Sequence, residues 1–274
     1  MADAVSEMAV ECSGVVHIYN PAAGPTMALR GVDLSIKRGT LVALRGPSGS
    51  GKSTLLRLLA GAEVPSAGSV SILGVPLLAL QGRDRARFLR HRISYIFQHA
   101  PDNIVLELST EENLALAARL RGAEPRVFAD EIESMPLLAG TSDMSPHLLS
   151  LGQQQCLSFL MATVGEPELI IADEPSAQMD EAEAAALLGA MRAAASKGIT
   201  SIFATHDPLF LSAVDRMFEM RAGRIVAERE GAGPTIARVD AGGWVPLPND
   251  FGARLAGRVV TAQWTDDHYE VRPK

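Results

Sequence analysis

Gly46-Pro-Ser-Gly-Ser-Gly51-Lys52-Ser53-Thr54 follows the apolar run Thr40-Leu-Val-Ala-Leu-Arg45 and precedes Leu55, Leu56, Leu58 and Leu59. The run before it reads as a buried strand, and the leucine spacing after it predicts a helix from Lys52 to Ala60. Between the two, the residues fit the pattern G-x-x-x-x-G-K-[ST] in the strand–loop–helix setting that the pattern requires. Glycines let successive backbone N–H groups curl around phosphate oxygens, and the helix N-terminus adds its partial positive charge at the same place. Lys52 is placed to reach terminal phosphates and Ser53 to offer its hydroxyl to Mg²⁺. Gly46, Ser48, Gly49, Ser50, Gly51, Lys52, Ser53 and Thr54 are therefore candidate binding residues. A glycine-serine turn that merely joined strand to helix would not need lysine followed by serine. By itself the loop says only nucleoside triphosphate, because unrelated ATPases and GTPases share it.

Upstream, Val15 to Tyr19 and Leu34 to Ile36 are short β-type stretches separated by Asn20-Pro21 and Gly24-Pro25, a pattern for antiparallel strands. Downstream, Ser69 to Leu73 and Ile93 to Phe97 read as strands, the second ending at Gln98 before a loop at His99 to Asn103. From Thr110 to about Phe159 the chain turns rich in alanine, leucine and glutamate at helical spacing. Leu169 to Ala172 is a buried-strand run, Glu181 to Ser196 an alanine-rich helix, and Ser201 to Ala204 a strand ending at Thr205-His206. Strands alternating with helices imply a parallel sheet. Phe218 to Met220 and Ile225 to Glu228 read as a closing hairpin. The expected fold is α/β, with an antiparallel β subdomain and an α-helical subdomain at about 100–160. The main domain is expected over 8–230. Gly231-Ala-Gly-Pro234 then reads as a linker, and the alternating segment Arg258 to Trp264 suggests a small β-rich extension over 231–274.

The 274 residues, 47% of them hydrophobic, suffice for one large domain with a small appendage. A net charge of −7 and a sequence pI near 5.4 argue against a broad nucleic-acid footprint. Cys12 and Cys156 are far apart and in no metal-ligand spacing, so two free thiols in a reducing cytoplasm are expected rather than a disulfide. Met1 to Glu7 has acidic residues and no apolar core of signal-peptide length, so export is not expected. Nowhere do 18 or more predominantly apolar residues run uninterrupted, so any membrane connection is expected to pass through a partner.

Leu169-Ile-Ile-Ala-Asp173-Glu174 is an apolar strand ending in two carboxylates, which a parallel sheet sets beside the phosphate loop. Asp173 suits a Mg²⁺ shell and Glu174 suits a general base or water-positioning group. The bland alternative is a strand end that caps the next helix. Leu149-Ser150-Leu151-Gly152-Gln153 lies 20 residues before Asp173. With it, residues 8 to 230 resemble the nucleotide-binding subunits of ABC transporters, whose P-loop NTPase core that fold would be. The segment matches the family's LSGGQ signature in every position but the third, where Leu151 replaces glycine. The resemblance implies that Ser150, Gly152 and Gln153 bind the γ phosphate of ATP held by the opposite subunit. Without the resemblance, Ser150 reads equally well as a helix cap.

The same resemblance implies that Tyr19 stacks on adenine and that Gln98 touches Mg²⁺ and senses the membrane partner. It also places Asp180, in Ser176-Ala-Gln-Met-Asp180, in the loop linking two active sites, and makes His206 the switch histidine at the γ phosphate. Implied catalytic residues are Glu174, His206 and Gln98, and implied metal contacts are Ser53, Gln98 and Asp173. Implied ligands and partners are ATP, Mg²⁺, an integral membrane permease and a second ABC ATPase subunit, with no nucleic acid, at the cytoplasmic face of the membrane. Within the family, Leu29-Arg-Gly-Val-Asp-Leu, Pro65-Ser-Ala-Gly-Ser-Val and Glu219-Met-Arg-Ala-Gly-Arg look most like the lipoprotein-release, macrolide-export and cell-division group.

Two departures open alternatives. Leu151 adds bulk near a phosphate, and Cys156 stands where the family usually has arginine, so turnover is expected to be reduced rather than abolished. A catalytically weak or regulatory cassette paired with a non-identical ATPase is one alternative, and drift in a homodimer another. A soluble, non-transport ABC ATPase is a third, although such proteins usually carry two cassettes or a long coiled-coil insertion, which this chain lacks. The tail around 238–248 and 259–273 faintly resembles swapped-hairpin β domains of the AbrB type. The alternative there is a couple of strands packed on the main domain.

Overall fold

A computed structural model describes residues 7–20, 24–124, 127–237, 260–265 and 268–273. In chain order the elements are β1 (Met8–Tyr19), β2 (Thr26–Lys37), β3 (Leu41–Arg45), α1 (Lys52–Leu59), β4 (Ala67–Ile72), β5 (Val75–Pro76), α2 (Gly82–Arg92) and β6 (Ile93–Ile96). They continue with α3 (Thr110–Arg121), α4 (Ala129–Ser134), α5 (Leu151–Thr163), β7 (Leu169–Asp173), α6 (Glu181–Ser196) and β8 (Thr200–Ala204). The last are α7 (Pro208–Ala213), β9 (Arg216–Arg221), β10 (Arg224–Glu230), β11 (Ile236–Ala237), β12 (Val260–Thr265) and β13 (His268–Pro273).

One sheet runs β11-β10-β9-β3-β8-β7-β6, and its pairs from β9 through β6 are parallel. β10 joins antiparallel to β9 as the expected hairpin. The second sheet, β2-β1-β4-β5, is antiparallel. The central strands are buried on both faces, as parallel strands are, and their side chains alternate between two cores. Leu41, Ala43, Ile170 and Ala172 point toward the helical side with Leu114, Phe128, Leu157 and Leu187. Val42, Leu44, Leu169 and Ile171 point toward α1 and the antiparallel sheet, where Leu55, Leu56, Leu58 and Leu59 are fully buried. This sandwich explains why a leucine-rich α1 follows β3. The helix covers one face of the strand that delivers the glycine loop.

Helix ends obey their local chemistry. Ser109 caps α3 and closes a capping box with Glu112; Ser150 does so for α5 with Gln153, and Asp180 for α6 with Glu183. The cap reading of Ser150 therefore describes its local geometry. Asp173 and Glu174 do not cap the next helix, because that helix starts at Glu181 and its N-cap is Asp180.

β1 and β2 are each 12 residues long and exceed the short stretches expected there, being carried past polar positions by register shifts at Cys12/Val15 and His17/Ile18. α2 was not anticipated: none of its residues is buried, and its arginine-rich sequence carries no apolar stripe. The short α7 was also missed, a six-residue helix opened by Asp207 and Pro208. In the tail, β12 pairs antiparallel with β13 from Val260↔Pro273 to Thr265↔His268. The part of the AbrB-type resemblance at 238–248 lies outside the described residues. Among the described residues, no helix is long and apolar enough to cross a membrane.

Candidate functional site

The loop between β3 and α1 is shaped by contacts that exclude side chains. A Cβ at Gly46 would lie 2.2 Å from the Met220 carbonyl oxygen and 2.9 Å from Ser50 Oγ. Gly51, the N-cap of α1, has φ 101°, and a Cβ there would meet the Ala28 carbonyl at 2.8 Å. Both positions therefore require glycine. Lys52 is only 8% exposed and folds back over its own loop, donating from Nζ to the carbonyls of Gly46 (2.6 Å) and Pro47 (3.2 Å). Burial lowers its ammonium below the ordinary range, with Glu174 and Asp173 pulling the other way. Ser50 Oγ is buried and has no hydrogen-bond partner among the described residues.

β3, β7 and β8 end side by side, because β7 pairs with β8 and β8 with β3 in parallel register. Asp173 ends β7, Glu174 follows it, and His206 comes just after β8. The three meet the glycine loop at one end of the sheet, in a cavity of about 700 Å³. It is lined by Tyr19, Ser48, Gly49, Ser50, Gly51, Lys52, Ser53, Thr54, Gln98, Asp173, Glu174 and His206, together with Thr26, Met27, Ala28 and Ala177, which the motifs did not reveal. Glu174 adopts the left-handed conformation, φ 50°, unusual for a residue with a side chain. Its N–H donates to the Ala204 carbonyl at 3.0 Å, and its Oε1 stands 3.6 Å from His206 Nε2. His206 is half exposed, so it is not a core histidine.

Gln98 is exposed at the cavity edge. Its loop is clamped by Asn103, whose Oδ1 accepts from Phe97 N–H (2.7 Å) while Nδ2 donates to the carbonyls of Phe97 (3.0 Å) and His99 (3.3 Å). Nothing in the sequence pattern marks that clamp. Tyr19 also lines the cavity. Its hydroxyl donates to Glu63 at 2.7 Å, and its ring meets His17 edge-on at a centroid distance of 4.6 Å.

Ser150, Gly152, Gln153 and Asp180 are not among the cavity's lining residues. They gather instead where α5 and α6 begin, around Glu183. That carboxylate accepts from Ser150 Oγ (3.3 Å) through Oε1 and from the Asp180 N–H (3.2 Å) through Oε2. It also fills the space beside Gly152, where a Cβ would lie 2.4 Å from its carboxyl carbon. Leu151, the departure from the signature, is 43% exposed on the first turn of α5, and Cys156 is fully buried in the helical core.

Chemically, the cavity joins backbone donors, an ammonium and the Ser50 hydroxyl at one wall to carboxylates and an imidazole at the other. It suits a polyanion held beside groups that can orient water. Ser53, Gln98 and Asp173 line it with hydroxyl, amide and carboxylate oxygens, a donor set that fits Mg²⁺.

Known proteins are similar to this chain over most of its length. Residues 29–177 match the family described as ABC transporter. The chain is 33% identical over 246 residues to the macrolide export ATP-binding/permease protein MacB 1 of Aeromonas hydrophila, covering 86% of this chain and 38% of that one. It is 32% identical over 224 residues to the lipoprotein-releasing system ATP-binding protein LolD of Chromohalobacter salexigens, covering 80% of this chain and 94% of that one. It thus spans little more than a third of the macrolide-export relatives it matches. Among solved structures, the dimeric post-hydrolysis state of the ATP-binding cassette MJ0796, bound to ADP and Pi, superposes with a TM-score of 0.73 at 26% identity. That match covers 82% of this chain and all of that one.

Proposed function

Because this chain belongs to the ABC transporter family and carries its ATP-binding cassette, we propose that it hydrolyses ATP as one of two paired cassettes and so drives a membrane permease. The observation that carries this reading is the convergence of Lys52, Ser53, Gln98, Asp173, Glu174 and His206 on one cavity from four separate segments.

In this reading the triphosphate lies along the glycine loop. Its oxygens accept from the N–H groups of 48–54 and from Lys52 Nζ, where they replace the loop carbonyls that now satisfy that ammonium. Tyr19 walls the base. Ser53, Gln98 and Asp173 would hold Mg²⁺, which supplies charge neutralisation for the β and γ phosphates when bound. Glu174 takes the proton of the attacking water, and His206, close to its carboxylate, contacts the γ phosphate and keeps the two groups in register. Ser150 and Gly152 do not line the cavity of their own chain, so they are assigned to the triphosphate of a facing subunit. Binding would then draw two cassettes together, and loss of the γ phosphate would remove the bridging contacts. The dimer seen for MJ0796 and the permease named in the macrolide-export relatives support this pairing. The site of action would be the cytoplasmic face of the membrane.

A second reading, a weak cassette paired with a non-identical ATPase, is favoured by exposed Leu151 on the first turn of α5. Purifying the chain from membranes and counting the co-purified polypeptides tests both. One ATPase species, an integral membrane protein and ATP hydrolysis stimulated by that protein support the first. A second, different cassette supports the other, and purification without any integral protein contradicts the transport role.

A further inference from the structure

Glu63 lies four residues beyond the end of α1, on a turn folded back so that the N–H groups of Ala62 (2.9 Å) and Glu63 (3.4 Å) donate to the Arg57 carbonyl. Its carboxylate is a hub for three side chains from two elements. Oε2 accepts from the Tyr19 hydroxyl at 2.7 Å and lies 3.2 Å from His17 Nε2, while Oε1 lies 3.0 Å from Arg57 Nε. Arg57 also donates to the Tyr19 oxygen at 3.2 Å, and Thr54 Oγ1 stands 3.4 Å from that oxygen. The Glu63 side chain is 23% exposed and that of His17 10%, so these contacts are shielded more than those of a surface pair.

The arrangement anchors the Tyr19 ring. Tyr19 is the last residue of β1, with Thr26 as its strand partner. An aromatic ring at a strand end keeps a costly freedom about its side-chain torsions unless a polar tip is anchored. Here the tip is anchored to the helix whose first residue is Lys52, with His17 packed edge-on against the ring.

We propose that Glu63 is a positioning residue for nucleotide binding: it holds Tyr19 to α1, so that the wall facing the purine base and the cradle for the phosphates form one preassembled unit. This rests on the reading of Tyr19 as the base-facing wall. Glu63 itself touches neither base nor phosphate. It acts by removing the reorientation that Tyr19 would otherwise undergo when the ligand enters, so its loss falls on binding and not on the chemical step.

The test is steady-state ATP hydrolysis by E63A, E63Q, Y19F and the double variant E63A/Y19F, with inorganic tripolyphosphate as a base-free competitor. E63A is expected to raise KM for ATP about threefold to tenfold with kcat within about twofold, and E63Q to fall between E63A and the parent, since its amide oxygen still accepts from Tyr19. The double variant is expected to be no worse than the weaker single, because both changes break the same bond. Inhibition by tripolyphosphate is expected to stay at the parent value in every variant. Additive effects, a fall in kcat at unchanged KM, or weakened tripolyphosphate inhibition would each overturn the proposal, the last by showing damage to α1 itself. Y19A separates the two levels of the argument. If Y19A leaves KM for ATP unchanged, the base-wall reading fails; if Y19A raises it and E63A does not, only the role of Glu63 fails.

Discussion

The carboxylate of Glu174 stands 3.6 Å from the imidazole of His206, although 32 positions separate them in the chain. The parallel pairing of β7 with β8 sets the two strand ends side by side, and the left-handed backbone at Glu174 turns its side chain into the cavity. A backbone held in a sparsely populated conformation costs about 1–3 kcal/mol and persists where the surroundings demand it. Here the demand is met by the bond from Glu174 N–H to the Ala204 carbonyl.

If Glu174 takes the proton of the attacking water, Glu174→Gln keeps the shape and loses the base. It is expected to bind ATP at parental affinity while phosphate release falls by about 10² or more, as measured in a single-turnover assay. Hydrolysis at the parent rate would assign the base elsewhere.

Lys52→Ala removes the ammonium that the loop carbonyls now hold. Affinity for ATP is expected to fall about tenfold or more, while thermal stability changes little, because the carbonyls of Gly46 and Pro47 can take water in its place. Equilibrium binding of a fluorescent ATP analogue reads the first effect and a thermal melt the second.

Glu168 contributes a pH-dependent share of stability. It sits between Arg38 and Arg92. Burial would raise its pKa, but the hydrogen bonds from Arg92 and Arg38 outweigh that and hold it below the usual carboxylate range. A group whose pKa is lower in the folded state stabilises above the unfolded pKa and ceases to do so as pH falls through the folded one. Glu168→Gln is therefore expected to lower stability by about 1 kcal/mol at pH 7, a figure already discounted for its one-third exposure. Denaturant midpoints should show that difference fading below about pH 4.

Burial pushes the thiol of Cys12 up to about 12, aided by Asp33, and that of Cys156 up to about 12, aided by Glu183. Neither thiol is accessible enough to react as a thiolate at neutral pH. Titration with an aromatic disulfide reagent is expected to detect neither in the native protein and both in denaturant.

The phosphate loop, the Asp173-Glu174 strand end and the buried strands of the parallel sheet were legible in the sequence, because each is written in contiguous residues: an apolar run, a fixed spacing, a breaker. β3, α1, β7 and α6 came out within a residue or two of their expected bounds. What was not legible depends on partners that only the fold supplies. Glu63 meets Tyr19 across 44 residues, and Glu183 meets Ser150 across 33. No local pattern distinguishes Glu63 from a solvated glutamate, and the Asp180-x-x-Glu183 capping pattern marks a helix start but not the contact with Ser150. α2 escaped because a helix with no buried residue leaves no periodic trace, and Asn103 because a side chain that closes a loop on its backbone looks like any other loop asparagine.

The central claim is that the triphosphate held by Lys52 in one cassette is completed by Ser150 of another. Because both native thiols are buried, it can be read directly by placing cysteines at Ser48 and Ser150 in the Glu174→Gln background and oxidising with and without ATP. The account predicts a covalent pair of chains that forms with ATP and not without it. Cross-linking that ignores ATP, or its absence when ATP is bound, would contradict it.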